Sequence, residues 1–267
     1  MITYSESPPH ADLRDFVRCY GELRIDVAPG RASEGLLVPD GYLELAFNLG
    51  GSRHDLVDGR WRPRPRITVD EVVSRAVRIR WQGPTRYLAV KFTRGAGLSL
   101  LGLRTEAVGT DPIDGSAFPE LAALSLRLEE EREWTRRTAH LDAFFRRRLA
   151  LATLDPLVAA TSRYLEGRVG AVSIAACAQQ LGVSTRTLQL RVRDRTGLTP
   201  KRLAQLVRVR TAIRRVARDG ERSLTAHAYE LGYADQSHFI REFRSATGEA
   251  PTRFFSHPQF VSDLLAP

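Results

Sequence analysis

The 267-residue sequence predicts an α+β chain of two domains, a β-rich first part and an all-helical last part. Three observations carry that prediction. Apolar residues alternate with a period of two between residues 34 and 95, and they take helical spacing from about residue 118 onward. The chain also writes Thr-Gly-x-x-Pro-x-Arg-apolar twice, within RTGLTPKRL at 195–203 and ATGEAPTRF at 246–254. A motif written twice at the ends of similar segments marks a duplicated unit.

In the first part, LELAFNL (43–49) places Leu43, Leu45, Phe47 and Leu49 on one phase and Glu44, Ala46 and Asn48 on the other. YLAVKFT (87–93) does the same, with Leu88, Val90 and Phe92 opposed to Tyr87, Lys91 and Thr93. Turn signals cut these runs short: PDG at 39–41, GG at 50–51, DG at 58–59, RPRPR at 62–66 and QGP at 82–84. Several short strands at this spacing mean a sandwich or a barrel. Helix-period sequence then runs from 118 to about 152. Leu121, Leu124, Leu128, Leu141 and Phe145 there offer apolar surface for packing on the strands or for a contact with a second copy. Asp155-Pro156 follows as the expected boundary, dividing the chain into 1–155 and 156–267.

The repeat has a physical explanation. In SIAACAQQL (173–181) a capping serine precedes Ile174, Cys177, Ala178 and Leu181 at helical spacing, and Gly182 suits the left-handed stop. Ser184 caps the next helix, whose inward face is Leu188 and Val192. The second copy runs SLTAHAYEL (223–231), Gly232, then a helix capped by Asp235 with Phe239 and Phe243 inside. Ala178 and Ala228 each stand four residues before the glycine, small enough for the second helix to cross close to the first. Thr-Gly-x-x-Pro ends the second helix and opens another at Pro200 or Pro251. Gly182, Gly197, Gly232 and Gly248 are therefore structural. Between the copies, KRLAQLVRVRTAIRRVARDG predicts one amphipathic helix of about 18 residues, ending at Asp219-Gly220, long enough to hold two helices roughly one DNA turn apart.

Charge follows the same division. Residues 156–267 hold 17 Arg/Lys against 9 Asp/Glu, a net of +8, whereas residues 1–155 hold 23 against 22, a net of +1. That asymmetry points to one part meeting a polyanion. The two cysteines, Cys19 and Cys177, lie far apart in sequence and read as reduced thiols. No run of apolar residues suggests a membrane helix, and the first residues lack a signal-peptide pattern, so the expected location is cytoplasmic.

The second copy, AxxLGYxDxSHFxRxFRxxxGxxPxxF from Ala228 to Phe254, resembles the paired helix-turn-helix domain of AraC/XylS-type transcription regulators. The first part resembles, less specifically, the β-rich sensor halves that precede such domains, in an uncharacterised subgroup. The resemblance implies a cupin-like N-terminal barrel for sensing or dimerisation and a C-terminal domain that binds double-stranded DNA to regulate transcription, as an activator or a repressor. A small-molecule effector, RNA polymerase and a second copy are the further partners it implies. Matched residue by residue, Arg186, Gln189, Gln236, Ser237, His238 and Arg241 fall on base-reading positions. Arg and Gln suit that role because they contact guanine and adenine edges with two hydrogen bonds. Leu190 occupies a reading position where arginine is common, leaving only apolar contact with a thymine methyl. Thr185, Arg191, Arg195, Lys201 and Arg253 are the expected phosphate contacts.

Candidate effector-binding residues are Glu44, Asn48, Arg80 and Lys91, on polar phases of the predicted strands. The six histidines form neither a His-x-His pair nor a His-Glu-x-x-His group, so neither a metal nor any other cofactor is expected. The alternative is a cupin-type enzyme fused to a DNA-binding module, which that histidine pattern disfavours. A fragment beginning near residue 155 should bind DNA by itself, with affinity falling steeply as salt rises because arginine–phosphate contacts release counterions. Salt-insensitive binding in a titration series would remove the electrostatic role.

Overall fold

A strand can bury both of its phases when each finds its own partner layer, and the central strands here do so. The computed structural model describes residues 2–28, 30–70, 75–103, 112–168, 172–219 and 224–256. In it β4 (Glu44–Asn48) pairs antiparallel with β9 (Thr85–Phe92) on one side and β7 (Ile67–Asp70) on the other. Outward from β9 come β2 (Val17–Ile25) and β1 (Ile2–Ser7), and outward from β7 comes β10 (Ile113–Asp114), making six strands. A second sheet holds β3 (Ala32–Leu37), β8 (Val77–Gln82), β5 (Ser52–Val57) and β6 (Arg60–Pro63), in that order.

Leu45, Phe47, Leu88, Val90 and Phe92 bury the predicted apolar phase against α1 (Gly97–Leu101), α2 (Pro119–Glu130) and α3 (Trp134–Arg148). The opposite phase, including Ala46, Tyr87 and Ala89, faces Ile79 and Trp81 of the smaller sheet. The result is a three-layer arrangement of small sheet, large sheet and helices. The two sheets face each other without closing into a barrel among the described residues. Leu121, Leu124, Leu128, Leu141 and Phe145 are all buried in the core of their own chain. They are not free to form the second-copy contact that the sequence suggested for them.

Strands β1 and β2 precede residue 34, where the period-two reading begins. Their polar residues hide them. Glu22 of β2 is only 2% exposed because Arg137 of α3, itself fully buried, ion-pairs with it. Arg137 also donates to the carbonyls of Leu128 and Glu131. A charge so satisfied stands where an apolar residue would otherwise have shown the periodicity.

The helical part forms as its punctuation predicts. Asp155 caps α4 (Pro156–Glu166), Ser173 caps α5 (Ile174–Gln180), Ser184 caps α6 (Thr185–Thr196) and Asp235 caps α9 (Gln236–Thr247). The 20-residue α7 (Pro200–Asp219) joins the copies, and α8 (Leu224–Glu230) and α10 (Pro251–Ser256) complete the second. Gly182, Gly197, Gly232 and Gly248 all have positive φ, between 69° and 79°. The repeated threonine proves to be a staple. Thr196 Oγ1 donates to the Val192 carbonyl at 2.7 Å and accepts from the Leu198 amide at 3.2 Å. Thr247 repeats this with Phe243 at 2.9 Å and Glu249 at 3.3 Å. Gly220 and Ser223, at the predicted stop and start between copies, lie outside the described residues, as does His257.

The strand-rich and helical parts meet at the turn 39–42, read from sequence as PDG followed by Tyr42. Arg94, which follows β9, donates to the carbonyls of Gly41 and Asp40, both at 3.1 Å, and pairs with Glu166 of α4. Its guanidinium lies 4.0 Å from the centre of the Tyr42 ring, and the Tyr42 hydroxyl donates to Glu166 at 2.7 Å. Gly41 has φ 76°, and a Cβ there would lie 3.3 Å from Arg94 Nε and 3.4 Å from Leu203 of α7. Left-handed backbone and close approach both call for glycine.

Asp40 completes the junction, bonded to Lys91 of β9 at 2.8 Å and lying 4.0 Å from Arg210 of α7. Burial by itself would raise its carboxyl, but Lys91 and Arg210 outweigh burial and hold it at about 2, below the ordinary 3.8. A depressed folded pKa contributes stability that is present above the unfolded value and lost as pH falls through the folded one. Here that contribution is roughly 2 kcal/mol, at ~1.36 kcal/mol per unit, disappearing between pH ~4 and ~2. Urea unfolding of wild type and Asp40→Asn should show a stability difference that narrows across that window. A difference that stays constant through it would exclude the pair as the source.

Candidate nucleic-acid interface

Each candidate recognition helix is built by burying one narrow apolar stripe and leaving the opposite face in solvent. On α6 the stripe is Leu188 and Val192, which pack with Val158, Leu165, Cys177, Ala178 and Leu203. On α9 it is Phe239, Phe243 and Ala246, packed with Ala228, Tyr233 and Phe254 and with Leu206, Val209 and Ile213 of α7. Ala178 and Ala228 are 1% and 2% exposed, at the crossings where the sequence requires small residues. The 20 residues of α7 span about 30 Å at ~1.5 Å per residue, close to the ~34 Å of a DNA turn.

Arg186 and Gln189 of α6 are exposed, and so are Gln236, Ser237 and Arg241 of α9. Leu190 is 57% exposed beside them, an apolar side chain on an otherwise polar face. His238 departs from the set: its ring packs edge-on to Tyr233 at 5.3 Å, and its Nε2 lies 3.8 Å from Glu242. The five residues expected at phosphates, Thr185, Arg191, Arg195, Lys201 and Arg253, are all exposed. Two of them also have partners within the chain: Arg191 Nε donates to Asp155 at 2.9 Å, and Arg195 Nε lies 3.9 Å from the same carboxylate. His227 is buried on α8.

The structure also shows polar residues that the sequence reading passed over. Glu242, on α9, is 5% exposed and accepts from Arg208 of α7 at 2.8 Å and from the Tyr233 hydroxyl at 2.9 Å. Its signal was present: a carboxylate three residues after Phe239 falls on the buried phase, and a charge there implies a partner.

A second site lies between the sheets, a cavity of about 50 Å³ walled by Leu37, Ile79, Trp81, Tyr87 and Ala89. Glu44 and Lys91 reach it, Lys91 through its pair with Asp40 and Glu44 through an acceptor contact from the Tyr87 hydroxyl at 3.1 Å. Burial raises the Glu44 carboxyl above its ordinary value. The other two candidates do not line the cavity. Asn48 donates to the Gly51 carbonyl and accepts from the Gly50 amide, fixing its own turn. Arg80 lies on the opposite face of β8, bonded to Glu34 at 2.6 Å and 4.0 Å above the Trp61 ring. Leu36, Val38 and Asp40 also line the cavity, so its wall is part of the junction with the helical part. Among the described residues, no three His, Cys, Asp or Glu side chains gather to hold a metal. No described helix is long and apolar enough to cross a membrane.

Comparison with known proteins agrees with this architecture. A helix-turn-helix domain model matches residues 177–257, and a model described as a domain of unknown function, DUF6597, matches residues 5–110. The transcriptional activator RhaS of Escherichia coli strain SE11 is 38% identical over 76 residues, 28% of this chain and 27% of that protein. RhaS of Pectobacterium atrosepticum is 35% identical over 74 residues, 28% of this chain and 26% of that protein. The chain thus spans about a quarter of the length of the curated relatives it matches. ToxT of Vibrio cholerae is similar in fold along nearly the whole chain. Its TM-score is 0.51 at 14% identity, covering 96% of this chain and 98% of ToxT. Residues 177–257 thus carry a helix-turn-helix domain similar in sequence to that of RhaS, behind a β-rich half, and the chain as a whole is similar in fold to ToxT.

Proposed function

We propose that the chain is a sequence-specific DNA-binding regulator of transcription, an activator whose α6 and α9 enter successive major grooves of double-stranded DNA. The observation that carries this reading is the pair of exposed polar helix faces held apart by the single rigid α7. Arg186, Gln189, Gln236, Ser237 and Arg241 are assigned to base edges, with His238 at the inner margin of that face. Thr185, Lys201 and Arg253 are assigned to phosphates. Residues 156–267 form the DNA-binding unit and 1–155 the sensing unit in this reading. The relatives carry the names of transcription regulators, which supports a non-enzymatic role.

The cavity is the proposed effector site. ToxT has been solved with the carboxylic acid (E)-4-(8-methylnaphthalen-1-yl)but-3-enoic acid bound. At about 50 Å³ the cavity here is well below the ~300–1,000 Å³ of sites for drug-sized ligands, so occupancy requires its wall to shift. The wall that borders the helical part contains Leu36, Val38 and Asp40. Effector binding and the setting of the recognition helices are therefore coupled, at the ~1–3 kcal/mol usual for such linkage.

Selection of bound DNA from a random library with the full-length chain tests the function directly. A single enriched site with two half-sites about one helical turn apart is the expected result; recovery of unenriched sequence would reject it. On that site Arg186→Ala or Arg241→Ala should each cost ~1–3 kcal/mol and relax base preference locally. Equal losses on every sequence would move both residues to the phosphate class. Lys91→Met, which breaks the cavity-side pair of Asp40, should shift overall affinity by ~1–3 kcal/mol while leaving the base preferences of both half-sites intact. Unchanged affinity would uncouple the cavity from DNA binding.

A further inference from the structure

The two recognition helices are built on the same plan but are tied down with opposite charges. Leu188 of α6 and Phe239 of α9 are corresponding buried anchors, as are Val192 and Phe243. Three residues after the first anchor, at the edge of the reading face, stand Arg191 in one copy and Glu242 in the other. Arg191 reaches back to Asp155, the buried N-cap of α4, at 2.9 Å. Glu242 reaches across to Arg208 of α7 through two guanidinium nitrogens and to Tyr233, over whose ring Arg208 lies at 4.2 Å.

We propose that Arg191 and Glu242 are positioning residues for DNA reading, each fixing the rotation of its recognition helix through an ion pair to the scaffold behind it. This rests on the DNA-reading function proposed above. The physical ground is the difference between apolar and ionic contacts. An apolar stripe of Leu, Val and Phe tolerates small rotations at little cost, since it has no directional preference. A carboxylate paired through both nitrogens of an arginine fork has one good arrangement, and burial makes losing it expensive. Rotation of α9 would carry Arg241, next in sequence to Glu242, away from its base edge. On α6 the same holds for Leu190, the neighbour of Arg191. The phosphate role that the sequence suggests for Arg191 is replaced by this one.

The test uses the full-length chain and the operator selected from random DNA, with every base pair of both half-sites substituted singly. Arg186→Ala and Arg241→Ala first establish which half-site each helix reads. Glu242→Gln should then flatten base preference at least roughly fivefold in the α9 half-site, with the α6 half-site unchanged. Arg191→Gln should do the converse. Its side chain is 54% exposed, so this variant keeps the test decisive even where Glu242→Gln lowers stability. Arg208→Lys, which keeps the charge but loses the fork, should reproduce the Glu242→Gln profile in milder form.

Uniform weakening on all sequences by Arg191→Gln, with the salt slope reduced by about 1, would make it a phosphate contact and overturn its positioning role. Unaltered preferences in both half-sites for Glu242→Gln and Arg208→Lys would reduce that pair to a purely structural one. A wild-type chain with no base preference at all would overturn the DNA-reading function itself, and the inference with it.

Discussion

One buried charge, the guanidinium of Arg94, holds the turn 39–42 at which the two parts of this chain meet. It is 4% exposed and cannot be left unsatisfied at that depth. Two carbonyls of the turn 39–42, the carboxylate of Glu166 and the ring of Tyr42 share its satisfaction. That requirement fixes the turn, the turn fixes Asp40 and Gly41, and these meet Arg210 and Leu203 of α7. Burial alone would raise the Glu166 carboxyl, yet Arg94 and the Tyr42 hydroxyl hold it below its ordinary value. The junction is thus an ionic one at which each charge has a designated partner. Such junctions resist sliding more than apolar ones of the same area, and they break discretely.

The parts of the fold that were legible in the sequence are those written in local chemistry. Capping residues, left-handed glycines and the Thr-Gly-x-x-Pro stop need only their near neighbours, so Ser173, Ser184 and Asp235 could be assigned unaided. The strands of β4 and β9 were legible for a similar reason, since each phase of their alternation is set by the pleat. What stayed hidden depends on partners distant in sequence. Glu22 needs Arg137, 115 positions away, before a buried glutamate makes sense. Arg80 was legible but misplaced: Ile79 and Trp81 occupy the inward phase of β8, so the arginine between them must face out.

The two proposed recognition helices show the same boundary between local and distant information. Their exposed faces follow from helical period and a family motif, and Arg186, Gln189, Gln236, Ser237 and Arg241 are exposed as that reading requires. Their orientation is a different matter. It depends on Asp155 behind α6 and on Arg208 behind α9, and neither residue belongs to a recognition helix. A motif that describes the reading face alone is silent about the scaffold that aims it.

The duplication itself explains why opposite charges appear at corresponding positions. The two copies share a plan but not an environment: α6 lies beside α4, whose N-cap is an aspartate, whereas α9 lies beside α7, which is rich in arginine. A residue on the inner margin of a recognition helix must match whatever charge its own neighbour presents. Arginine fits the first setting and glutamate the second. Tyr233 also stands where the first copy has Val183, directly after the turn glycine, and its hydroxyl shares the Glu242 carboxylate. The copies are therefore free to differ in what they read while remaining alike in how they fold. An isolated helix from one copy, transplanted into the other, would carry the wrong charge into a partly buried pair and lose its aim before losing its fold.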